Sequence, residues 1–324
     1  MAAFFELEQG GQSIPVALAH CHASREPGFQ ASMESLLQAS DFAALAGKTV
    51  LVKPNLLKAE ALACTDPWLV ASLCRCLLDL GCKVTVADSP GFGTLAGVAA
   101  KIGLEQALAP LGLRPVPMGS ALWKDVEIQG ARVKIPISRT AFDCETIVSV
   151  PKVKAHSQMR LTLAVKNCYG CVPGLHKAFL HARFGKHRAC FAELIVALYQ
   201  LLPPVVAVVD GIVAMHVTGP GSGQAYPLGL VAACSNAPLL DEELLCLLGC
   251  TVEEIPLALA LRRAGVYGSG KSCVQASYPL AQPTEWRVED FQVPEILLTT
   301  SFAPHRLLRS LWRRLWAQRP FFCK

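Results

Sequence analysis

Between residues 146 and 192 the chain contains no aspartate and no glutamate, while the same stretch carries eight Lys/Arg and four His. Charge is scarce overall as well. Charged residues make up 17% against 52% hydrophobic, which excludes a disordered, charge-dominated chain. Long uninterrupted apolar runs are also missing. Residues 194–209 are broken by Pro203-Pro204, and 211–240 by the loop Gly219-Pro220-Gly221-Ser222-Gly223. Neither supplies the roughly 20 continuous apolar residues of a membrane span, so none is expected despite a mean hydropathy of +0.37. The first eight residues lack a basic n-region and an apolar h-region, so no secretory signal is expected. The 14 cysteines then read as reduced thiols of a cytoplasmic protein, most of them acting as small buried hydrophobes. G-x-G-x-x-G, the P-loop and H-E-x-x-H are all absent, so no nucleotide site or zinc-protease motif is predicted.

What is present alternates strand and helix. Residues 14–19, 49–52 and 83–87 read as strands, and 29–45, 67–80 and 95–111 as helices, the last broken by Gly103. Asp66-Pro67 supplies an N-cap and a first-turn proline, with Gly81 beyond the helix end. Strands joined by single-helix crossovers imply a parallel sheet covered on both faces, with its carboxyl ends along one edge. Gly130-Ala131, between 125–129 and 132–137, predicts a β-hairpin. Further strands are expected at 146–150, 205–209 and 228–234, and helices at 158–167, 189–201, 241–248 and 253–264. The expected fold is α/β: a mostly parallel sheet flanked by helices, with a β-hairpin insertion and a basic C-terminal helix. Residues 1–303 form a single domain, or two lobes meeting near 120–145, and 304–324 form a tail.

The acid-free stretch follows the strand 146–150, and ligands in open α/β sheets sit beyond the carboxyl ends of strands. A one-signed run raises local anion concentration and supplies donors for phosphate or carboxylate. The competing reading is a solvated basic face, but interleaved Gly, Pro, Asn and Cys favour a site. His156, two residues after Lys154, is either a general base or metal ligand or a structural, hydrogen-bonded histidine. Lys166-Asn167 sets a flexible cation beside an amide, and Gly170 and Gly174 let backbone approach a ligand closely. An ordinary helix stop explains the glycines but not the lysines around them. Cys168-Tyr169-Gly170-Cys171 is a C-x-x-C pair able to hold zinc or an iron–sulphur iron, or to form a redox dithiol. No second pair exists, so His156, His176 or His181 would have to complete a metal site. His20-Cys21-His22 is a metal candidate or, more simply, a surface loop. Asp88-Ser89-Pro90-Gly91 lies between strand and helix, where backbone N–H groups can face an anion. Asp88 and Asp210, both read at strand exits, are candidates to orient a lysine or histidine or to bind metal.

The order Lys154-x-His156, then Lys166-Asn167-x-x-Gly170-x-x-Pro173-Gly174-x-x-Lys177-x-x-x-His181, resembles the core signature of the domain-of-unknown-function 362 family. Lys53-Pro54-Asn55, Asp88-Ser89-Pro90-Gly91, Asp210-Gly211 and Pro227-Leu228-Gly229 fit the same pattern. The resemblance covers roughly 45–250. It implies no named reaction, and the residues themselves supply the expected ligand-binding set, Lys53, Asn55, Lys154, Lys166, Asn167 and Lys177, with His156, His181 and Asp210 as catalytic candidates. Family members often carry a ferredoxin-like C-x-x-C-x-x-C-x-x-x-C-P module. This chain has no such run, so any cluster would come through an iron–sulphur partner meeting Cys168 and Cys171.

The tail holds six Lys/Arg and no acid between residues 304 and 324. Of 30 basic and 25 acidic residues, 24 and 25 therefore lie outside the tail, and the rest of the chain is nearly neutral. Leu307, Leu308, Leu311, Trp312, Leu315 and Trp316 recur at helical spacing, as in a basic amphipathic helix suited to an anionic membrane, an acidic partner or the protein's own body. The sequence thus supports a small-anion-binding α/β protein, with an enzyme of unnamed reaction as the leading reading and a metal or electron-transfer accessory as the alternative. Nucleic acid is disfavoured, because the basic stretch offers only Tyr169, Phe179, Phe184 and Phe191 for stacking and matches no recognised module.

Overall fold

The computed structural model describes residues 13–267, 275–286 and 288–298; the predicted tail helix lies outside them. In chain order the strands are β1 (Ser13–His20), β2 (Thr49–Pro54), β3 (Lys83–Asp88), β4 (Pro115–Pro117), β5 (Ala121–Ile128), β6 (Ala131–Ser138), β7 (Thr146–Val150), β8 (Lys152–His156), β9 (Arg160–Thr162), β10 (Val205–His216), β11 (Gln224–Tyr226), β12 (Leu230–Cys234) and β13 (Gln275–Ser277). The helices are α1 (Phe29–Ala39), α2 (Pro67–Asp79), α3 (Leu95–Ile102), α4 (Leu104–Leu108), α5 (Ala164–Asn167), α6 (His176–Phe184), α7 (Arg188–Leu201), α8 (Ala237–Leu247) and α9 (Pro256–Arg263).

The main sheet runs β13-β1-β12-β10-β7-β2-β3-β4. Its β4-β3-β2-β7-β10 half is parallel, whereas β12 is antiparallel to both β1 and β10. The architecture is therefore the expected one, mixed α/β with a mostly parallel sheet. Side-chain alternation divides the core into two layers. Val50 and Val52 join Met33, Leu36, Leu69 and Leu73 of α1 and α2. Leu51 faces the other way, with Ile147 and with Phe191 and Ile195 of α7. Asp66 caps α2 by accepting from Trp68 N and Leu69 N, with Pro67 in the first turn, as the sequence predicts. The hairpin β5–β6 forms around Gln129 and Gly130, both at positive φ (50° and 73°), which is the combination a two-residue primed turn requires.

Three elements differ from expectation. Helix α1 stops at Ala39 because Asp41 turns left-handed (φ 61°), and residues 42–45 form only a 3-10 turn. Residues 158–167 are not one helix. β8 and β9 pair antiparallel through a turn in which Arg160 has φ 61°, and only Ala164–Asn167 is helical. β10 continues to His216, which puts Asp210 inside a strand rather than at its exit.

The short helix α5 is held from below by Asp241 of α8. Its Oδ1 and Oδ2 accept from Ala164 N (2.7 Å) and Val165 N (2.9 Å), satisfying two of the donors every helix start leaves open. Burial raises the Asp241 carboxyl to about 7, with the two backbone N–H groups acting the other way. Asp241→Ala should strand both buried donors, at roughly 1–3 kcal/mol each. A guanidinium titration should therefore show a loss of about 2–6 kcal/mol.

Candidate anion-binding site

Because β2 and β3 are adjacent and parallel, their carboxyl ends emerge together and bring Lys53 to Asp88. Lys53 Nζ donates to Asp88 Oδ1 (2.8 Å), Asn167 Oδ1 (3.0 Å) and the Pro54 carbonyl (3.0 Å). An ammonium has three protons, so these three acceptors complete it, and the residue is 1% exposed. Asp88 Oδ2 accepts from Leu56 N at 2.8 Å. Asn167, carried by α5, donates through Nδ2 to the Lys53 carbonyl (2.9 Å) and to Ser149 Oγ (3.0 Å). Its amide is thus oriented by every neighbour it has. Gly170 lies directly over this centre. A Cβ there would sit 2.2 Å from Lys53 Nζ and 2.7 Å from Asp88 Oδ1, so the glycine serves close backbone approach and not merely a helix stop.

Lys154 extends the network without a carboxylate. Its Nζ donates to Asn55 Oδ1 (2.6 Å) and the Ala63 carbonyl (2.9 Å), and Asn55 Nδ2 lies 3.3 Å from Asn167 Oδ1. Thr65 fixes Asn55 by accepting from its N–H (2.8 Å) and donating to the Val150 carbonyl (2.6 Å). Next to it stands a second ion pair, Lys152 Nζ to Asp210 Oδ2 at 2.9 Å, whose aspartate also accepts from Asp66 N (2.7 Å). Asp210 is therefore committed to a lysine and to backbone and does not stand open as a catalytic acid.

Lys166 is half-buried and, among the described residues, meets neither a carboxylate nor a hydrogen-bond acceptor. Burial, together with Lys177, lowers it to about 8. Burial lowers Lys154 to about 7. Lys177 reaches the Ser89 carbonyl, and Ser89 Oγ accepts from Gly174 N (3.0 Å), so the Pro173-Gly174 turn packs on the loop after β3.

The histidines are poorer proton carriers than expected. His156 Nδ1 accepts from Gln158 N (3.1 Å) and Met159 N (3.2 Å), closing the β8–β9 turn, and burial with Lys166 nearby holds its pKa well below normal. His181 lies tilted against Phe191 and edge-on to Tyr169, and burial with Lys166 lowers it to about 3. Cys168 and Cys171, the C-x-x-C pair, stand away from solvent. Both are fully buried. Burial raises Cys171 to about 12 and holds Cys168 well above the usual thiol range, and among the described residues no group of three or more metal-ligating side chains gathers. A cavity of about 610 Å³ lies elsewhere, between α7 and α9, and includes none of the predicted site residues.

Sequence reasoning passed over Ser149, Thr65, Lys152 and Asp241. Lys152 sits two residues from Lys154 on the same strand, so alternation could have paired them. Asp241 is an acid directly following the apolar run Ala237–Leu240, a sign of a buried partner. Ser149 and Thr65 carry no comparable signal.

The fold and site define an α/β protein with a buried lysine–asparagine–aspartate centre at its strand exits. The family described as "Domain of unknown function (DUF362)" matches residues 50–244, and the chain belongs to that family. It is 32% identical over 281 residues, 83% of this chain and 84% of the relative, to the "Thylakoid-associated protein sll1697" of Synechocystis sp.. Among solved structures it is similar to the lactate racemase apoprotein of Thermoanaerobacterium thermosaccharolyticum, with a TM-score of 0.45 and 12% identity over 72% of this chain and 57% of that one. A Thermotoga maritima protein aligns with a TM-score of 0.37 and 12% identity, over 67% of this chain and 58% of its own. The chain thus spans less than two thirds of either structure. No helix among the described residues is long and apolar enough to cross a membrane.

Two outcomes follow. Gly170→Ala forces backbone and Lys53 apart, and overpacking of this kind costs about 1–3 kcal/mol; denaturant midpoints should fall accordingly. The second concerns pH. The folded chain holds Lys154 and Lys166 at about 7 and 8, below the ordinary 10.5. Above pH 7 the unfolded chain therefore holds more protons on these two lysines than the folded one, and their contribution to stability rises with pH. The raised carboxyl of Asp241 and the buried thiols act the other way, because the folded chain keeps their protons longer than the unfolded one does. The lysine contribution is read as a difference: without added anion, the melting temperature of the parent should rise relative to that of Lys166→Met between about pH 7.5 and 8.5.

Proposed function

We propose that the chain binds a small anion bearing phosphate or carboxylate at the strand-exit edge, with Lys166 as its principal contact and Lys154 and Lys177 beside it. One observation carries this reading. Lys53 and Lys152 are each neutralised by an aspartate, whereas Lys166, half-buried beside them, has no such partner among the described residues. Cations withdrawn from water and left without acids are costly unless a ligand completes them. The adjoining Asn55, Asn167 and Gly170 hold the lysines in place, as a preorganised site needs. If a reaction occurs here, the developing negative charge would fall among fixed ammonium groups, and Lys154, held at about 7, is better placed to exchange a proton than either histidine. A reducing compartment such as the cytoplasm suits the free thiols. The buried Cys168 and Cys171 do not favour the iron–sulphur accessory reading.

Calorimetry with inorganic phosphate and with malonate tests this. At least one should bind, and Lys166→Met should weaken it by about 1.5–3 kcal/mol, tenfold or more. Equal binding by the variant would remove Lys166 from the site. A bound anion raises the pKa of the neighbouring lysines, so binding at pH 8 should take up protons, seen as a dependence of the heat on buffer ionisation enthalpy, and the uptake should vanish at pH 6.

A further inference from the structure

The helix that closes the site has an outer face the fold does not use. On its inner side Leu180 is buried, Phe184 packs against the core and His181 lies against Phe191. On its outer side Leu175, Phe179 and Arg183 follow one another at four-residue spacing, all exposed. Phe179 is 58% exposed and Leu175 38%, a poor arrangement for a surface that meets only water. Trp123 of β5, 54% exposed, extends the patch, since its ring meets His176 edge-on at 5.4 Å. Lys186, His187 and Arg188 follow α6 in the chain and are also exposed. No acid occurs between Glu145 and Glu193. Two carboxylates share the strand face of Trp123: Asp125, which lies 3.5 Å from Arg132, and Glu127, which stands opposite Arg132 across the hairpin.

Large apolar side chains mixed with cations, and no acid among them on α6, match an anionic lipid surface better than a protein. Protein interfaces deplete Lys, though not Arg, at their centre. A bilayer takes Trp, Phe and Leu at the headgroup–acyl boundary while its headgroups meet Arg and Lys. We propose that α6 and β5 dock this protein on an anionic phospholipid bilayer, with Trp123, Leu175 and Phe179 entering the boundary and Arg183, Lys186 and Arg188 among the headgroups. The surface stands independently of the anion site, although Lys177 and Gly174 tie the same segment to Ser89. Docking would turn the strand-exit edge toward the membrane.

The test is co-sedimentation of the full chain with phosphatidylcholine vesicles and with equimolar phosphatidylcholine–phosphatidylglycerol vesicles. The anionic vesicles alone should bind, and added salt should weaken binding. The double variant Leu175→Ser, Phe179→Ser alters only exposed side chains, so its melting curve should match the parent, while its vesicle affinity should drop about tenfold or more. Brominated lipid should quench part of the parent fluorescence, and Trp123→Phe should remove that part. Unaltered binding by the double variant would place docking elsewhere in the chain, such as residues 304–324, and overturn the proposal. Equal binding to neutral vesicles, or no binding by the parent, would overturn it as well.

Discussion

An ammonium group taken out of water must find an acceptor for each of its protons, and the strand-exit edge of this protein is organised around meeting that demand for Lys53. Asp88 comes from the neighbouring parallel strand, Asn167 from α5, and the third acceptor from the carbonyl of Pro54. Each has its own dependence. Asp88 requires β2 and β3 to be adjacent and in register. Asn167 requires α5, which Asp241 caps from a helix more than seventy residues further along the chain. Gly170 must be free of a side chain for the backbone to cover the pair. A buried ion pair is weak evidence of stability, since desolvation offsets most of the attraction. Its effect is on specificity: a slip of one residue between β2 and β3 would leave both charges unpaired.

Against this satisfied centre, the cations around it stand out. Lys154 has two neutral acceptors and no acid, and Lys166 has none of either among the described residues. Burial pushes both toward the neutral form, helped by repulsion of Lys154 by Lys166 and of Lys166 by Lys177. Conflicts between local chemistry and the fold gather at functional sites, because a core this large tolerates a strained corner. The contrast between neutralised and unneutralised lysines within one network is what favours the proposed anion site over an ordinary basic face. A solvated face would leave its lysines in water and their pKa values where they began.

The architecture was largely legible in the chain. Apolar runs such as 49–52 and 146–150 are strands because continuous burial on both faces leaves no polar period to read. Asp66-Pro67 starts a helix because both its side-chain acceptor and its missing donor suit a first turn. The region 158–167 misled, because Leu161, Ala164 and Val165 recur at helical spacing while the backbone reverses at Arg160, and no local signal marks that reversal. At the site, the residue types were legible: Lys53, Asn55, Lys154, Lys166 and Asn167 stand in patterns that imply an anion. Their partners were not, since Lys53 and Asn167 are 114 residues apart, and Lys152 and Asp210 are 58 apart.

By itself, then, the sequence determined the layered α/β plan, the acid-free stretch and the excess of cations near strand ends, because hydrophobic period and charge sign are properties of neighbouring residues. Only the tertiary structure decided which cations are neutralised. It assigned Asp88 to Lys53 and Asp210 to Lys152, left Lys166 without an acid, buried Cys168 and Cys171, and turned the Nδ1 of His156 toward a backbone turn. Strand order and register settle those pairings, and they bring together groups that no local pattern connects.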